Sequence, residues 1–259
     1  MPERKKVVAI GDLHCGHRVG LTPPGYPGKA NDKFTAIREE LWDVYTGMID
    51  KQKPIDVLLV NGDVIDGTSW RCSGTDSLTT DMNEQVEMAQ KCLEYAEAKH
   101  TVMTYGTAYH TAPDGQDWDL VLSRMIKADK IGGEETVNIN GLIINMKHTV
   151  GRSSIPHGRS TPISKDRLWN LLWSERDQCD KAHIIIRSHV HYFHAIIDPM
   201  YMAMTLPALM GLGSKFGTRI PSETVDFGIV WFDIGSKDDY DWGFDTCLGS
   251  TQRSKTLKL

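Results

Sequence analysis

Short apolar runs and helically spaced apolar residues alternate along this chain. Residues 7–10 (VVAI), 57–60 (VLLV), 102–105 (VMTY) and 182–186 (AHIII) form brief, largely β-branched runs. A run of that length without polar alternation reads as a strand covered on both faces, as in a parallel sheet. After the first run, Phe34, Ile37, Leu41, Val44, Tyr45 and Met48 recur mostly at steps of three or four, which predicts a helix over about 32–51 with Asp32 as its cap. Further helices are expected over 83–98, 117–128 and 161–178, the last with Pro162 at its first position. Residues 136–146 split around Asn140-Gly141, the strongest short hairpin signal, into two paired strands. Strands over 195–197, 202–206 and 227–234 complete the pattern, and 21–29 and 67–81 read as loops. The order is βα repeats first and a strand-rich second half with one helix, an α/β protein. One domain is expected over 1–248, followed by a polar, frayed tail over 249–259.

The length of 259 residues suffices for a real core without staples, and no repeat or low-complexity tract suggests another architecture. A net charge of −5 argues against a general nucleic-acid coat or a basic membrane-surface protein, though it leaves room for a local basic patch. Cys15, Cys72, Cys92, Cys179 and Cys247 are scattered, odd in number and without a C-x-x-C pair. That argues against a zinc finger or disulfide framework and for a reducing compartment. The opening MPERKK with its four-residue apolar run is too short for a signal peptide, and no run of about 18 apolar residues occurs. The expectation is a cytoplasmic protein with no membrane partner and no obligate protein partner.

The candidate chemistry lies in the polar residues just past the apolar runs. Asp12 and His14 follow the first, Asp63 and Asp66 the second, and His110 the third. His148 stands just beyond the hairpin, and His189 and His191 follow the fourth run. Ligands of open α/β sheets bind at the carboxyl ends of strands. An Asp-x-His pair there can aim an oxygen and a nitrogen at one point, which suits a divalent metal of intermediate hardness. A single histidine so placed is ordinarily a surface or packed residue, and that reading stands for His17, His100, His157, His183 and His194. Five strand ends with the same feature set the chosen group apart. Its imidazoles and two carboxylates suffice for two metals, with one aspartate shared between them. No Ser-His-Asp or cysteine-nucleophile pattern competes.

The order of GDLH (11–14), GDVID (62–66), His148 after a hairpin strand and SHVH (188–191) resembles the calcineurin-like metallophosphoesterase superfamily, over about residues 7–191. The resemblance implies a four-layer αββα sandwich with mixed sheets and a dinuclear site on one edge. It implies Asp12, His14 and His191 on one metal, His148 and His189 on the second, and Asp63 bridging. One motif departs. The family shows Gly-Asn-His followed by an acid, whereas this chain reads Tyr105-Gly106-Thr107-Ala108-Tyr109-His110. That is similar to a Gly-Thr-x-x-His version in phage-type members. Thr107, a water or His110 itself then stands in for the missing asparagine, or Thr107 merely occupies a turn. His110 is expected to face the substrate.

The chemistry so implied is a hydroxide held between two divalent cations that attacks phosphorus in line. Manganese is the foremost cation, with iron, zinc, cobalt and nickel as alternatives. Asp63 and His110 are the expected catalytic residues, His110 supplying a proton to the leaving oxygen. Asp66 is expected behind a ligand imidazole or as a cap, and Arg71 and Arg152 against substrate phosphate. The expected function is a phosphodiesterase acting on nucleic acid or a small diester. A phosphomonoesterase or protein phosphatase on the same site is the alternative, and a non-catalytic scaffold of this fold is the third reading.

Overall fold

The structure, a computed structural model, describes residues 3–28, 32–68, 74–112, 114–153, 155–212, 224–248 and 256. The apolar runs become neighbouring strands of one sheet. Strands β1 (Lys5–Ile10), β2 (Val57–Asn61), β3 (His100–Thr104) and β4 (Lys130–Gly132) lie parallel in that order. The sheet is extended on the other side of β1, where β10 (Phe227–Ser236) and β11 (Asp239–Cys247) add antiparallel. A second mixed sheet has β5 (Glu135–Ile139), β6 (Leu142–Met146), β7 (Ile184–Arg187), β9 (Tyr201–Thr205) and β8 (His194–Asp198) in that spatial order. The predicted hairpin is β5 and β6, and both Asn140 and Gly141 have positive φ (51° and 88°), as a two-residue turn between twisted strands requires.

Successive residues of β1 face opposite ways and both faces are apolar, so each face seeds its own core. Val8 and Ile10 pack with Leu58, Val60 and Met103 under α1 (Thr35–Gln52), α2 (Met82–Glu94) and α4 (Trp118–Met125). Val7 and Ala9 join Leu59, Val230 and Phe232 against Ile144, Ile184, Ile186, Met202 and Met204 of the second sheet. Ile185 and Ala203, on the far face of that sheet, pack with Ile163 of α5 (Ser160–Ser174). The layers therefore run helices, sheet, sheet, helix: the αββα sandwich.

Local boundaries differ from expectation for local reasons. Helix α1 starts at Thr35, because the Asp32 carboxylate accepts the Phe34 N–H (3.1 Å) and pairs with Arg38 (2.8 Å) in the turn before it. Helix α5 starts at Ser160, so Pro162 is its third residue, still in the first turn where a missing N–H removes no helical hydrogen bond. Four elements were not anticipated: β4, the one-turn α3 (Ala108–Thr111), a 3-10 turn (Pro156–Gly158) and β11. In β11, Tyr240, Trp242 and Phe244 alternate with Asp239, Asp241 and Gly243, a half-buried edge strand whose carboxylates blunt the edge. Arg4 pairs with Asp239 and Asp241 of β11 and with Asp233 of the neighbouring β10. Apart from residue 256, the expected tail lies outside the described residues. No helix among the described residues is long and apolar enough to cross a membrane.

A polar bolt joins the two sheets at their carboxyl edge. The buried Asn61 amide donates to Ser188 Oγ (2.8 Å) and to the Lys147 carbonyl (3.2 Å), and accepts from Thr104 Oγ1 (2.7 Å). It thus ties β2 and β3 to the ends of β6 and β7. Asn61→Ala leaves these groups short of a partner in a water-free layer, at roughly 1–3 kcal/mol for each that stays unsatisfied. The expected loss is about 2–4 kcal/mol in urea unfolding of the chelator-treated protein; a loss under about 0.5 kcal/mol, the scatter of surface substitutions, would show that the bolt is not needed.

Candidate metal centre

The turns that leave β1, β2 and β7 are tight and strained. Gly11 passes so close to the second sheet that a Cβ there would lie 2.7 Å from Ser188 Oγ. A Cβ on Gly62 (φ 76°) would lie 2.5 Å from His148 Nδ1. Beyond these glycines, Asp12, His14, Asp63, His189 and His191 all adopt positive φ (51°, 46°, 47°, 72° and 58°). Nine non-glycine residues among those described have positive φ, so more than half fall in these three turns. Each such residue costs of order 1 kcal/mol or more and persists only where its surroundings impose it. Here backbone bonds do so: Asp12 N–H to the Gly62 carbonyl (3.0 Å), His14 N–H to that of Asp63 (3.0 Å) and Ser188 N–H to that of His148 (2.9 Å).

The result is a cluster of nitrogen and oxygen donors in three overlapping groups: Asp12, His14 and His191; His14, Asp63 and His110; and Asp63, His148 and His189. His191 Nε2 lies 3.3 Å from both Asp12 Oδ1 and His14 Nε2, and His148 Nε2 lies 3.0 Å from Asp63 Oδ2. Donors bonded at about 2.0–2.2 Å to one cation stand roughly 3–4.2 Å from one another, so these spacings fit shared ions. Asp12 Oδ1 and His148 Nε2 are buried and meet polar groups only within the cluster, as ligand atoms would. The residues present therefore fit divalent cations of intermediate softness.

Neighbours orient the donors. The Asn61 carbonyl accepts from His148 Nδ1 (2.8 Å), which turns Nε2 toward Asp63. Asp66 stands 3.5 Å from His14 Nδ1, on the side of the ring away from Asp12. Thr107 donates its N–H to Asp63 Oδ1 (2.6 Å), and its hydroxyl lies 2.9 Å from Oδ1 and 3.1 Å from Oδ2. Asp12 Oδ2 accepts the His189 N–H (3.0 Å). His189 and His191 are half-buried and mark the open side, with the other donors beneath them. Exposed Arg152 is near enough to His189 to disfavour its protonation.

Charge balance follows from the burial of two carboxylates. Burial disfavours ionisation of Asp12, but His191 and His14 outweigh it and hold the carboxyl well below its usual range. Asp63 is likewise lowered against its burial, chiefly by His148. Burial also opposes a charge on His14, yet Asp12 and Asp66 push it up to about 10, and Asp63 and Asp12 push His148 up to about 9. His189, with burial and His148 both against it, falls to about 4.

Six sequence-predicted ligands thus converge, and Thr107, His110 and Asp66 join them. Arg71 and its neighbour Trp70 lie outside the described residues. Arg159 stacks on Tyr192 at 3.9 Å and reaches Thr224. The five remaining histidines have other roles or positions: His17 Nδ1 accepts the Val19 N–H, His100 pairs with Asp129, His183 Nδ1 accepts the Ile143 N–H, His194 meets Ser160, and His157 is exposed. Three residues escaped the sequence reading, namely Asn61, Ser188 and Asp119. The first two are polar residues at strand ends beside a motif, a signal that was available. Asp119, in the first turn of α4, carried none; its buried carboxylate accepts the Gly106 N–H (2.9 Å) and so seats the loop before Thr107.

Fold and donors together define an αββα sandwich with a nitrogen–oxygen ligand cluster at the carboxyl edge of both sheets. No family model and no curated protein sequence matches the chain. Among solved structures it is similar to a conserved uncharacterized protein, a predicted phosphoesterase, from Streptococcus pneumoniae TIGR4 (13% identity, 95% of this chain, 91% of that chain, TM-score 0.40). It is also similar to Vps29 of Chaetomium thermophilum (10%, 95%, 99%, 0.48) and to an archaeal phosphodiesterase (13%, 92%, 99%, 0.42).

Two predictions arise here. Burial lifts the Asp119 carboxyl to about 7, with the Gly106 N–H opposing and Asp63 adding to the rise. Between about pH 4 and 7 the folded chain holds this proton and the unfolded chain does not, so its stabilising contribution fades as pH rises through that window. Asp119→Asn keeps an acceptor for Gly106 and removes the charge. In chelator it should match the wild type near pH 4 and exceed it at pH 8 by up to about 4 kcal/mol; parallel stability profiles would refute this. Second, His189→Gly relieves the positive φ while keeping the N–H bonded to Asp12. Its unfolding midpoint in chelator should not fall, whereas manganese affinity measured by calorimetry should drop at least about tenfold.

Proposed function

We propose that this protein is a divalent-cation-dependent phosphoesterase that hydrolyses phosphodiesters, in nucleic acid or in a small molecule. We place it with the phage-type calcineurin-like metallophosphoesterases. The observation that carries the reading is the convergence of Asp12, His14, Asp63, His148, His189 and His191 from four separate turns, with the buried atoms Asp12 Oδ1 and His148 Nε2 facing only one another's group of donors. Asp12, His14 and His191 would hold one cation, His148 and His189 the second, and Asp63 would serve both.

Bound there, divalent cations supply positive charge for phosphate oxygens and acidify water for attack. The chain's own residues prepare for this. Thr107 fixes one carboxylate oxygen of Asp63, Asp66 backs His14, and the Asn61 carbonyl sets the tautomer of His148. Arg152 offers a cationic group on the open side beside His189, suited to a phosphate of the substrate. The preference for a diester follows the Gly-Thr-x-x-His form of the third motif. Manganese is the first cation to test, before iron, zinc, cobalt and nickel. A reducing cytoplasm fits the buried thiols of Cys15 and Cys92, which lie 4.0 Å apart unbridged.

The test uses the full chain, stripped with chelator and reloaded with manganese, on matched chromogenic diester and monoester substrates. Diester hydrolysis should vanish with chelator and return with manganese, and Asp63→Asn should lower kcat by about a hundredfold or more. Faster monoester cleavage would move the reading to a phosphomonoesterase. Failure to bind cations or cleave either ester would leave a scaffold, and full activity of Asp63→Asn would remove the shared-aspartate centre.

A further inference from the structure

We infer that His110 is itself a cation ligand, through Nε2, in the donor group it forms with His14 and Asp63. The inference rests on the proposed cation centre and deepens it. It starts from the tautomer. His110 Nδ1 lies 2.5 Å from the Asp66 carbonyl oxygen, which can only accept, so Nδ1 carries the hydrogen. In the neutral ring Nε2 then holds a lone pair and has no proton to give. That lone pair is turned inward: Nε2 is 3.9 Å from Asp63 Oδ2, and the ring meets His14 edge-on with centroids 4.6 Å apart. A spacing of 3.9 Å falls within the roughly 3–4.2 Å between donors on one cation.

The placement is built by an independent feature. His110 sits on the one-turn α3, which presses onto Gly67. A Cβ on Gly67 would lie 2.9 Å from the carbonyls of Tyr109 and His110 and 3.1 Å from His110 Cα, and Gly67 itself has φ 76°. The Asp66-Gly67 pair therefore forms a seat: its carbonyl orients the imidazole, and the missing side chain lets α3 close down. His110 is buried, with the Tyr109 ring against it at a centroid distance of 4.1 Å. Such an environment suits a group held among ligands better than one reaching out to a leaving oxygen. Thr107, three residues earlier, is already engaged on Asp63, so the Thr-x-x-His spacing divides two tasks: Thr107 fixes the shared carboxylate and His110 adds a nitrogen. An added imidazole raises preference for cobalt, nickel, zinc and iron over magnesium.

The test compares wild type, His110→Ala and Gly67→Ala, loaded with cobalt(II). Affinity and stoichiometry are read by calorimetry and elemental analysis, the ligand field by visible absorption, and folding by circular dichroism and unfolding in chelator. Wild type should bind two cobalt ions. His110→Ala should keep its fold, bind one of them at least tenfold more weakly and shift the absorption bands. Gly67→Ala, which keeps the His110 imidazole but displaces the α3 that carries it, should shift the bands in the same sense. Hydrolysis of diesters with good and poor leaving groups should fall by equal factors in His110→Ala. Unchanged cobalt affinity and spectrum, with the rate lost only for poor leaving groups, would overturn the inference in favour of proton donation and leave the cation centre standing. Absence of cobalt binding in the wild type would overturn both.

Discussion

Two carboxylates sealed from water at the seam between the sheets, Asp12 and Asp63, set the terms for the rest of this structure. A buried charge is tolerated only when paired and hydrogen-bonded. Asp12 receives the His189 N–H and faces His191, while Asp63 receives Thr107 and faces His148. The histidines raised by these acids, His14 and His148, supply the compensating positive charge in the cation-free protein. Cations that replace those protons would take over the same electrostatic duty, which links assembly of the site to metal binding.

Holding donors from two sheets at one point requires backbone that no sheet would choose. Strands leave their ladders through Gly11 and Gly62, and the next residues are forced into the left-handed region. The opposing force is packing. Apolar layers on both faces of β1 and between the sheets fix where the strands end, and Asn61 locks the two edges together. Strain and polar burial concentrate where function is proposed, and the surrounding core offsets them, as expected of sites that sequence-level rules alone do not favour.

The degree to which the sequence anticipated each part depends on how local its cause is. The buried strands of the first sheet, the Asn140-Gly141 hairpin and the core helices rest on periodicity and turn chemistry within a few residues, and they appear close to expectation. Strand β4 is three residues long, and α3 a single turn; both exist only because a neighbour accepts them. Strand β11 had a readable alternation, but its acids Asp239, Asp241 and Asp245 mimic a loop until Arg4 and β10 pair with it. Helix α1 lost its first turn to the side-chain bond between Asp32 and Arg38.

By itself the sequence determined which residues are candidates for the chemistry: an Asp-x-His, an Asp-x-x-Asp and an x-His-x-His, each placed after an apolar run. It could do so because ligand identity and strand-end position are local properties. Only the tertiary structure decided how those groups face one another. It set the tautomer of His148 through Asn61, committed Thr107 to Asp63, and turned His110 Nε2 inward over Gly67. Each of these depends on a bond or close approach between residues tens of positions apart, which comes into being only when β2 pairs with β3 in the first sheet and, for His148, when the two sheets pack.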